Sequence, residues 1–405
     1  MSPMTLPWTG PGVPHAVLDI NRGCDIRCRA CYNARPVSLK SLSAIDAELD
    51  TLSRLRRLHA VTIAGGEPLL HPDLFEVIRR IKGRGFVPAM LTNGYAFDAR
   101  RAAELAAAGL ALVLFHIDRG QRRADLTDPD DPAAIRALRA GKITVASDHG
   151  ITAGMISTLF DDQFEDAVGA IYLLLEMPAA RYLLFTGHLD FPARGDVTGT
   201  LRGGFRSPAR EASPRQVTAD RFRALMAERF GATPFATVPS SGPVRYDAWL
   251  SYQGAVVYEE TRRMARRFMT SSLVERVAIR LLRAAHGRYP FFHAPRPCAL
   301  WAQLCLNAVA GGNPGANLAV LAQLARGRRL ISKHLVFQQG PTPDATGRLS
   351  VCRDCPDAVV SGGRLVPVCL ADRVSDETAS PASPPAFRGR SDRGQSVEVP
   401  YRLRP

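Results

Sequence analysis

Three cysteines, Cys24, Cys28 and Cys31, fall within the segment Asn21-Arg-Gly-Cys-Asp-Ile-Arg-Cys-Arg-Ala-Cys-Tyr32, just after an apolar stretch near the N-terminus. Soft thiolate ligands at this spacing suit an iron–sulfur centre or zinc. Their odd number rules out complete pairing as disulfides. A closed structural site takes four ligands, and no fourth cysteine lies nearby in the chain. The spacing is therefore read as a cluster with one metal position left open to a small molecule. A zinc knuckle that borrows a distant ligand is the other reading it leaves open.

Further polar residues follow short apolar runs. Ala60 to Ala64 reads as a buried strand running into Gly65-Gly66-Glu67-Pro68. Two glycines there would let a ligand approach the backbone closely, and Glu67 would offer a carboxylate to a cationic group. Phe86 to Leu91 is a strand ending in Thr92-Asn93-Gly94. Leu110 to Asp118 is another, with His116 and Asp118 on one face at its C-terminal end. Ile151 to Phe160, with Ser157 and Thr158, makes a fifth strand, and Arg181 to Thr186 a sixth.

The cysteine triplet followed by Gly-Gly-Glu-Pro and Thr-Asn-Gly resembles the radical S-adenosylmethionine (SAM) superfamily. The resemblance implies that Cys24, Cys28 and Cys31 hold a 4Fe–4S cluster whose unique iron chelates SAM, and that electron transfer then releases a 5′-deoxyadenosyl radical. It also implies SAM contacts from Gly65, Gly66, Glu67, Pro68, Thr92, Asn93, His116, Asp118 and Ser157. Many members carry an aromatic residue just before the third cysteine; here Ala30 stands there and Tyr32 follows, so a ring contact would come from Tyr32.

Helical patterns separate the strands: Leu42 to Leu58, Asp73 to Gly83, Ala96 to Gly109 and Asp162 to Met177. Strand–helix alternation argues for parallel strands covered by helices. The expected fold is α/β, a partial (β/α)6 TIM-like barrel with a small C-terminal cysteine-bearing extension. Chemistry collects at the C-terminal ends of such strands, so every motif above should share one mouth. The expected organisation is a lead over 1–14, the barrel over 15–190, a linker and mainly helical region over 191–295, the extension over 296–373 and a disordered tail over 374–405. Tyr258 to His286 is read as a basic amphipathic helical stretch.

Five cysteines come late: Cys298, Cys305, Cys352, Cys355 and Cys369. Cys352-x2-Cys355 and Cys369 across the Gly362-Gly363 turn look like a knuckle, with Cys298 or Cys305 completing four ligands. Such a set suits a second 4Fe–4S cluster or zinc. It resembles the SPASM and twitch extensions of many radical SAM enzymes, without matching their spacing residue for residue.

The 405 residues carry 46% hydrophobic residues and no long uncharged apolar run, and the N-terminus has no secretory pattern, so a cytoplasmic protein is expected. The formal charge of +14 comes almost wholly from arginine, the lysines being Lys40, Lys82, Lys142 and Lys333. No aromatic-interleaved basic pattern accompanies it, so no nucleic-acid partner is expected. The sequence points to a radical SAM enzyme acting on a metabolite, a natural-product precursor or a lipid-like substrate, served by an electron donor such as flavodoxin or ferredoxin. Peripheral membrane contact through the basic stretch fits the same reading. The alternatives are a ribosomal-peptide-modifying enzyme, disfavoured by the roughly twenty residues before Cys24, and a zinc-stabilised binding protein on a degenerate barrel.

Overall fold

Burial on both faces is what turns short apolar runs into parallel strands, and the first two strands show it. All seven residues of β1 (His15–Asn21) and all six of β2 (Ala60–Gly65) are buried. The computed structural model describes residues 2–33, 37–188, 196–201, 203–207, 216–271, 273–292, 300–305 and 314–374, with the strand pair 389–390 and 396–397. Cys298, residues 189–195 and 208–215, and most of the tail lie outside the described residues.

After β1 and β2 come β3 (Val87–Thr92), β4 (Leu112–His116), β5 (Thr152–Leu159) and β6 (Ala180–Gly187), each parallel to its predecessor. The crossovers are α1 (Leu42–Leu55), α2 (Leu74–Gly83), α3 (Ala99–Ala108), α4 (Pro132–Asp148) and α5 (Asp166–Glu176). Side-chain caps set several starts: Ser41 accepts from the Ala44 amide at 3.2 Å and Asp98 from the Arg101 amide at 2.7 Å. Helix α3 stops at Gly109, whose φ of 102° suits glycine. Helix α4 was not anticipated, although Asp131 caps it and Pro132 opens it.

The sixfold parallel unit matches the expected partial barrel, and the sheet is open at β1. The later chain departs from expectation. Helix α6 (Ala219–Phe230) leads into β7 (Ala236–Ser241), β8 (Asp247–Glu259) and β9 (Arg262–Met269), and only then does α7 (Leu273–His286) form. The described part of 191–295 is thus mixed rather than mainly helical. The stretch from Tyr258 to Met269 is strand and hairpin, with Glu260 at φ 51° in the turn. The cause is long-range. Val256, Val257 and Tyr258 are strand formers, and β8 pairs over ten residues with β10 (Arg329–Gln338), from Trp249↔Gln338 to Tyr258↔Arg329. Helical spacing among Met264, Phe268 and the arginines could not outweigh that ladder.

Strand β10 also lies parallel to β6, extending the barrel sheet with late sequence. Its Lys333 is buried beneath the Tyr258 ring and donates to the carbonyls of Met177, Pro178 and Ala180, in the connection between α5 and β6. Helix α8 (Pro314–Leu324) precedes β10, and β11 (Arg348–Cys352), β12 (Ala358–Ser361) and β13 (Arg364–Pro367) follow it.

One buried guanidinium fastens this late segment to the barrel. Arg56, just past α1, donates to the carbonyls of His15 at 2.6 Å, Asp354 at 2.9 Å, Cys355 at 2.8 Å and Pro356 at 3.1 Å. Burial lowers its pKa to about 10, so it stays charged at neutral pH. His15 adds contacts to Thr62 at 2.8 Å and to the Asp357 carboxylate at 2.9 Å. Arg56→Leu should cost at least about 3 kcal/mol, because hydrogen bonds from a charged donor are each worth roughly 1.5–3 kcal/mol and four carbonyls lose theirs. Thermal unfolding followed by circular dichroism would measure the loss; an unchanged melting temperature would contradict the bridging role.

Candidate active site

The cysteine loop leaves β1 at Asn21, and the residues that hold it come from the next two strand ends. The Gly66 amide donates to the Asn21 carbonyl at 2.9 Å, and the Glu67 amide to the Gly23 carbonyl at 2.7 Å. The Asn21 side chain donates to the Glu67 carbonyl at 2.8 Å. A Cβ on Gly65 would lie 2.2 Å from the Asn21 carbonyl oxygen, and one on Gly66 would lie 2.0 Å from that of Gly23. Both glycines line the cavity, and their missing Cβ atoms also leave room for the backbone of the cysteine loop. Gly66→Ala should therefore push the loop outward at a cost of about 1–3 kcal/mol. Its signature would be reduced iron uptake on reconstitution with retained secondary structure. Full iron uptake would speak against this packing.

Glu67 is placed differently from expectation. Its carboxylate is fully buried and accepts from the Leu69 amide at 2.9 Å, the Thr92 hydroxyl at 2.7 Å and the Asn93 amide at 2.7 Å. Burial pushes its carboxyl up to about 7 against these donors. With these bonds it fixes the β2 and β3 turns together, and neither Glu67 nor Pro68 lines the cavity. Asn93, so positioned, turns its Nδ2 to Asp25 at 2.6 Å and to the Cys24 sulfur at 3.7 Å.

His116 and Asp118 do share one face, and they pair at 2.8 Å. Asp118 is buried and also accepts from Arg139 at 2.9 Å and from the Thr158 amide at 2.7 Å. Burial raises its pKa, but His116 and Arg139 outweigh it and hold the carboxyl below its ordinary value. Burial likewise pulls on His116, yet the Asp118 charge prevails and keeps its pKa well above the ordinary histidine range. His116 lines the cavity, whereas Asp118 and Ser157 do not. Ser157 is buried near Arg139 at 3.4 Å, and Thr158 and Thr186 face the space instead. Alternation along β5 sends neighbours to opposite faces, which is why Thr158 rather than Ser157 is the lining residue.

Two contributors were not singled out from sequence. Gln121, in the loop after β4, is buried and donates to the Cys28 sulfur at 3.6 Å. Arg123 holds it, donating to the Gln121 side-chain oxygen and the Asn93 carbonyl, each at 3.1 Å. Nothing local marks Gln121, since only the fold brings it to the cysteine loop, where Arg27 and Arg122 bond backbone to backbone. The arginines around the cysteines are likewise engaged. Arg22 pairs with Asp19 at 2.9 Å and with Asp372 at 3.0 Å, and Arg29 with Asp162 at 2.9 Å.

These residues open on a cavity of about 240 Å³. Cys24, Cys28, Cys31 and Tyr32 line one part of it, with Gly65, Gly66, Thr92, Asn93 and His116 beside them. Tyr32 donates to the Gly65 carbonyl at 3.2 Å, and burial keeps its phenol neutral. Val17, Leu91, Ile156, Leu184, Trp249 and Val368 make much of the surface apolar. Cys352, Cys355 and Cys369 line the same cavity, with Asp357 next to them. Cys355 follows a tight turn, its amide donating to the Cys352 carbonyl at 3.2 Å with Asp354 at φ 51°. Cys305 is exposed and does not line the cavity. It cannot complete this set as proposed, and Cys298 lies outside the described residues.

The donor set fits a thiolate-bound cluster. Amide N–H groups from Asn93 and Gln121 aimed at Cys24 and Cys28 are what charged sulfurs require. Among the described residues no three His, Cys, Asp or Glu side chains are arranged to hold a single ion; an inorganic cube is wider than an ion and asks for thiols that are further apart. Burial pushes the Cys24 thiol up to about 11 and that of Cys31 above its usual value, so ligation would release protons. Gln121→Leu should shift the cluster potential to more negative values, because a bond to sulfur is lost. A redox titration followed by electron paramagnetic resonance would read it, and an unmoved potential would refute the contact.

A strand-end cysteine triplet beside a Gly-Gly-Glu turn on an open parallel sheet is the arrangement that the sequence resemblance implies. Residues 18–172 match the Radical SAM superfamily model. They form a radical SAM domain, and 4Fe–4S and SAM are the cofactors of that class. The match does not reach the late cysteines.

The chain is 30% identical over 105 residues to the tungsten-containing aldehyde ferredoxin oxidoreductase cofactor-modifying protein of Pyrococcus furiosus, covering 25% of this chain and 30% of that protein. It is 31% identical over 144 residues to the PqqA peptide cyclase of Rhodopseudomonas palustris, covering 33% and 36%. It thus spans about a third of the length of these curated relatives. The crystal structure of Streptococcus suis SuiB bound to S-adenosylmethionine aligns at 13% identity with a TM-score of 0.35, covering 44% of this chain and 42% of that one. Among the described residues no helix is long and apolar enough to cross a membrane.

Proposed function

We propose that this protein reductively cleaves SAM at a 4Fe–4S cluster held by Cys24, Cys28 and Cys31, and modifies an unactivated C–H position of a metabolite, natural-product precursor or lipid-like substrate. The observation that carries this reading is a single, largely apolar cavity lined by both thiol sets. Bound cluster and SAM would supply a 5′-deoxyadenosyl radical that abstracts hydrogen from the substrate. The chain's own residues do the rest. Asn93 and Gln121 steady the sulfurs, Glu67 and Arg123 hold Asn93 in place, and the close Gly66–Gly23 contact fixes the loop. Val17, Leu91, Ile156 and Leu184 exclude water and favour an apolar substrate. His188, Gln339 and Asp357 are the polar groups that would orient it.

In this reading Cys352, Cys355 and Cys369 hold a second cluster beside the substrate, and Arg56 and His15 keep that segment docked. A reducing, cytoplasmic setting and an external electron donor follow from the same chemistry. Likeness to PqqA peptide cyclases from two organisms supports a second reading, in which the substrate is a peptide.

Anaerobic reconstitution followed by dithionite and SAM tests the proposal. 5′-Deoxyadenosine should appear, and deuterium should reach it from a deuterated apolar small molecule or lipid rather than from a peptide. Transfer from a peptide alone would select the second reading. Zinc in place of iron, with no cleavage, would leave a binding protein.

A further inference from the structure

Helix α7 is turned the wrong way for a helix that only supports a core. Its inner edge is narrow, with Glu275 and Ile279 half-buried, and Ile279 packs against the cluster around Trp8 and Tyr289. The apolar side faces outward. Leu273 is 75% exposed, Val277 45% and Leu281 64%, and at four-residue spacing they form one arc. Water-facing apolar arcs of this kind mark interaction surfaces.

Beside that arc lies a separate cavity of about 360 Å³ lined by Arg57, Arg280 and Arg283, with Ala284, Gly287 and Tyr289. It has no carboxylate among its lining residues. Tyr289 accepts from Arg283 at 3.0 Å and lies under its guanidinium, which fixes one cation of the three. Among the described residues none of these arginines pairs with Asp or Glu. Arg276 extends the basic flank of the same helix. Three arginines lining one cavity fit an anion, phosphate above all. Arginines next to outward leucines on one helix fit a surface that offers phosphate and hydrocarbon together. Nucleic acid offers the phosphate without the hydrocarbon.

We propose that α7 docks the protein on an anionic phospholipid bilayer, Arg57, Arg280 and Arg283 gathering headgroup phosphates while Leu273, Val277 and Leu281 enter the interface. The inference is independent of the radical chemistry, since none of these residues lines the thiol cavity. Co-sedimentation of the full chain with vesicles tests it. The protein should pellet with phosphatidylglycerol-containing vesicles, weakly with pure phosphatidylcholine, and less at high salt.

Each arginine removed (Arg280→Ala, Arg283→Ala) should lower partitioning about fivefold. Leu273→Ser with Leu281→Ser should reduce it at least as much. All these side chains are exposed, so unchanged circular dichroism is expected and confirms folding. Failure to bind anionic vesicles, or leucine variants that bind as well as the parent, would overturn the proposal. So would full displacement by glycerol phosphate, which indicates a soluble-phosphate site, or a preference for RNA that ignores the leucines.

Discussion

Joint replacement of Cys24, Cys28 and Cys31 by alanine should abolish 5′-deoxyadenosine formation and remove about four iron atoms per chain, the content of one 4Fe–4S cluster. The fold around them gives the reason. The thiols line the cavity mouth together, and Asn93 and Gln121 send N–H groups to two of them. No other described cysteine is on this loop. The loop's backbone is held independently by Gly66 and Glu67, so the triple variant should keep its secondary structure. Iron analysis, circular dichroism and product chromatography would be read side by side. Persisting cleavage would mean that the SAM-binding cluster is elsewhere.

Alanine at Cys352, Cys355 and Cys369 should act differently. SAM cleavage should survive while substrate modification is lost, and iron should fall from about eight to about four per chain. Cys355 is 3% exposed and interacts with Cys352 in a turn whose carbonyls Arg56 grips. Burial raises the Cys369 pKa, so without a metal it is a neutral, unreactive thiol. Thiols anchored in this way to β1 and α1 would suit an electron-transfer or substrate-positioning centre if they hold a cluster. Iron content that stays the same would refute a second cluster. One zinc per chain, lost with the three thiols, would identify a structural knuckle.

The chain itself declared its chemistry through local spacing. Three sulfurs in one loop, Gly-Gly-Glu-Pro after an apolar run and Thr-Asn-Gly after the next are short-range patterns, and strand–helix alternation placed them at one end of a parallel sheet. Those features needed no tertiary information, because thiolate ligation, sharp turns and two-sided burial are written in consecutive residues.

Long-range contacts settled what spacing leaves open. Which face of β5 meets the cavity separated Thr158 from Ser157, and the bonds from Arg139 and the Thr158 amide keep Asp118 off the lining that His116 reaches. A carboxylate's use depends on who donates to it, and Glu67 found three partners inside the fold. Gln121 and Arg56 carry no local signature, since their partners lie 93 and up to 300 positions away. The run from Tyr258 to Met269 had helical spacing and became strand because β10 arrived to pair with β8. That arrival also carried the late thiols to the same cavity as the early ones, an encounter between distant parts of the chain that no local pattern encodes.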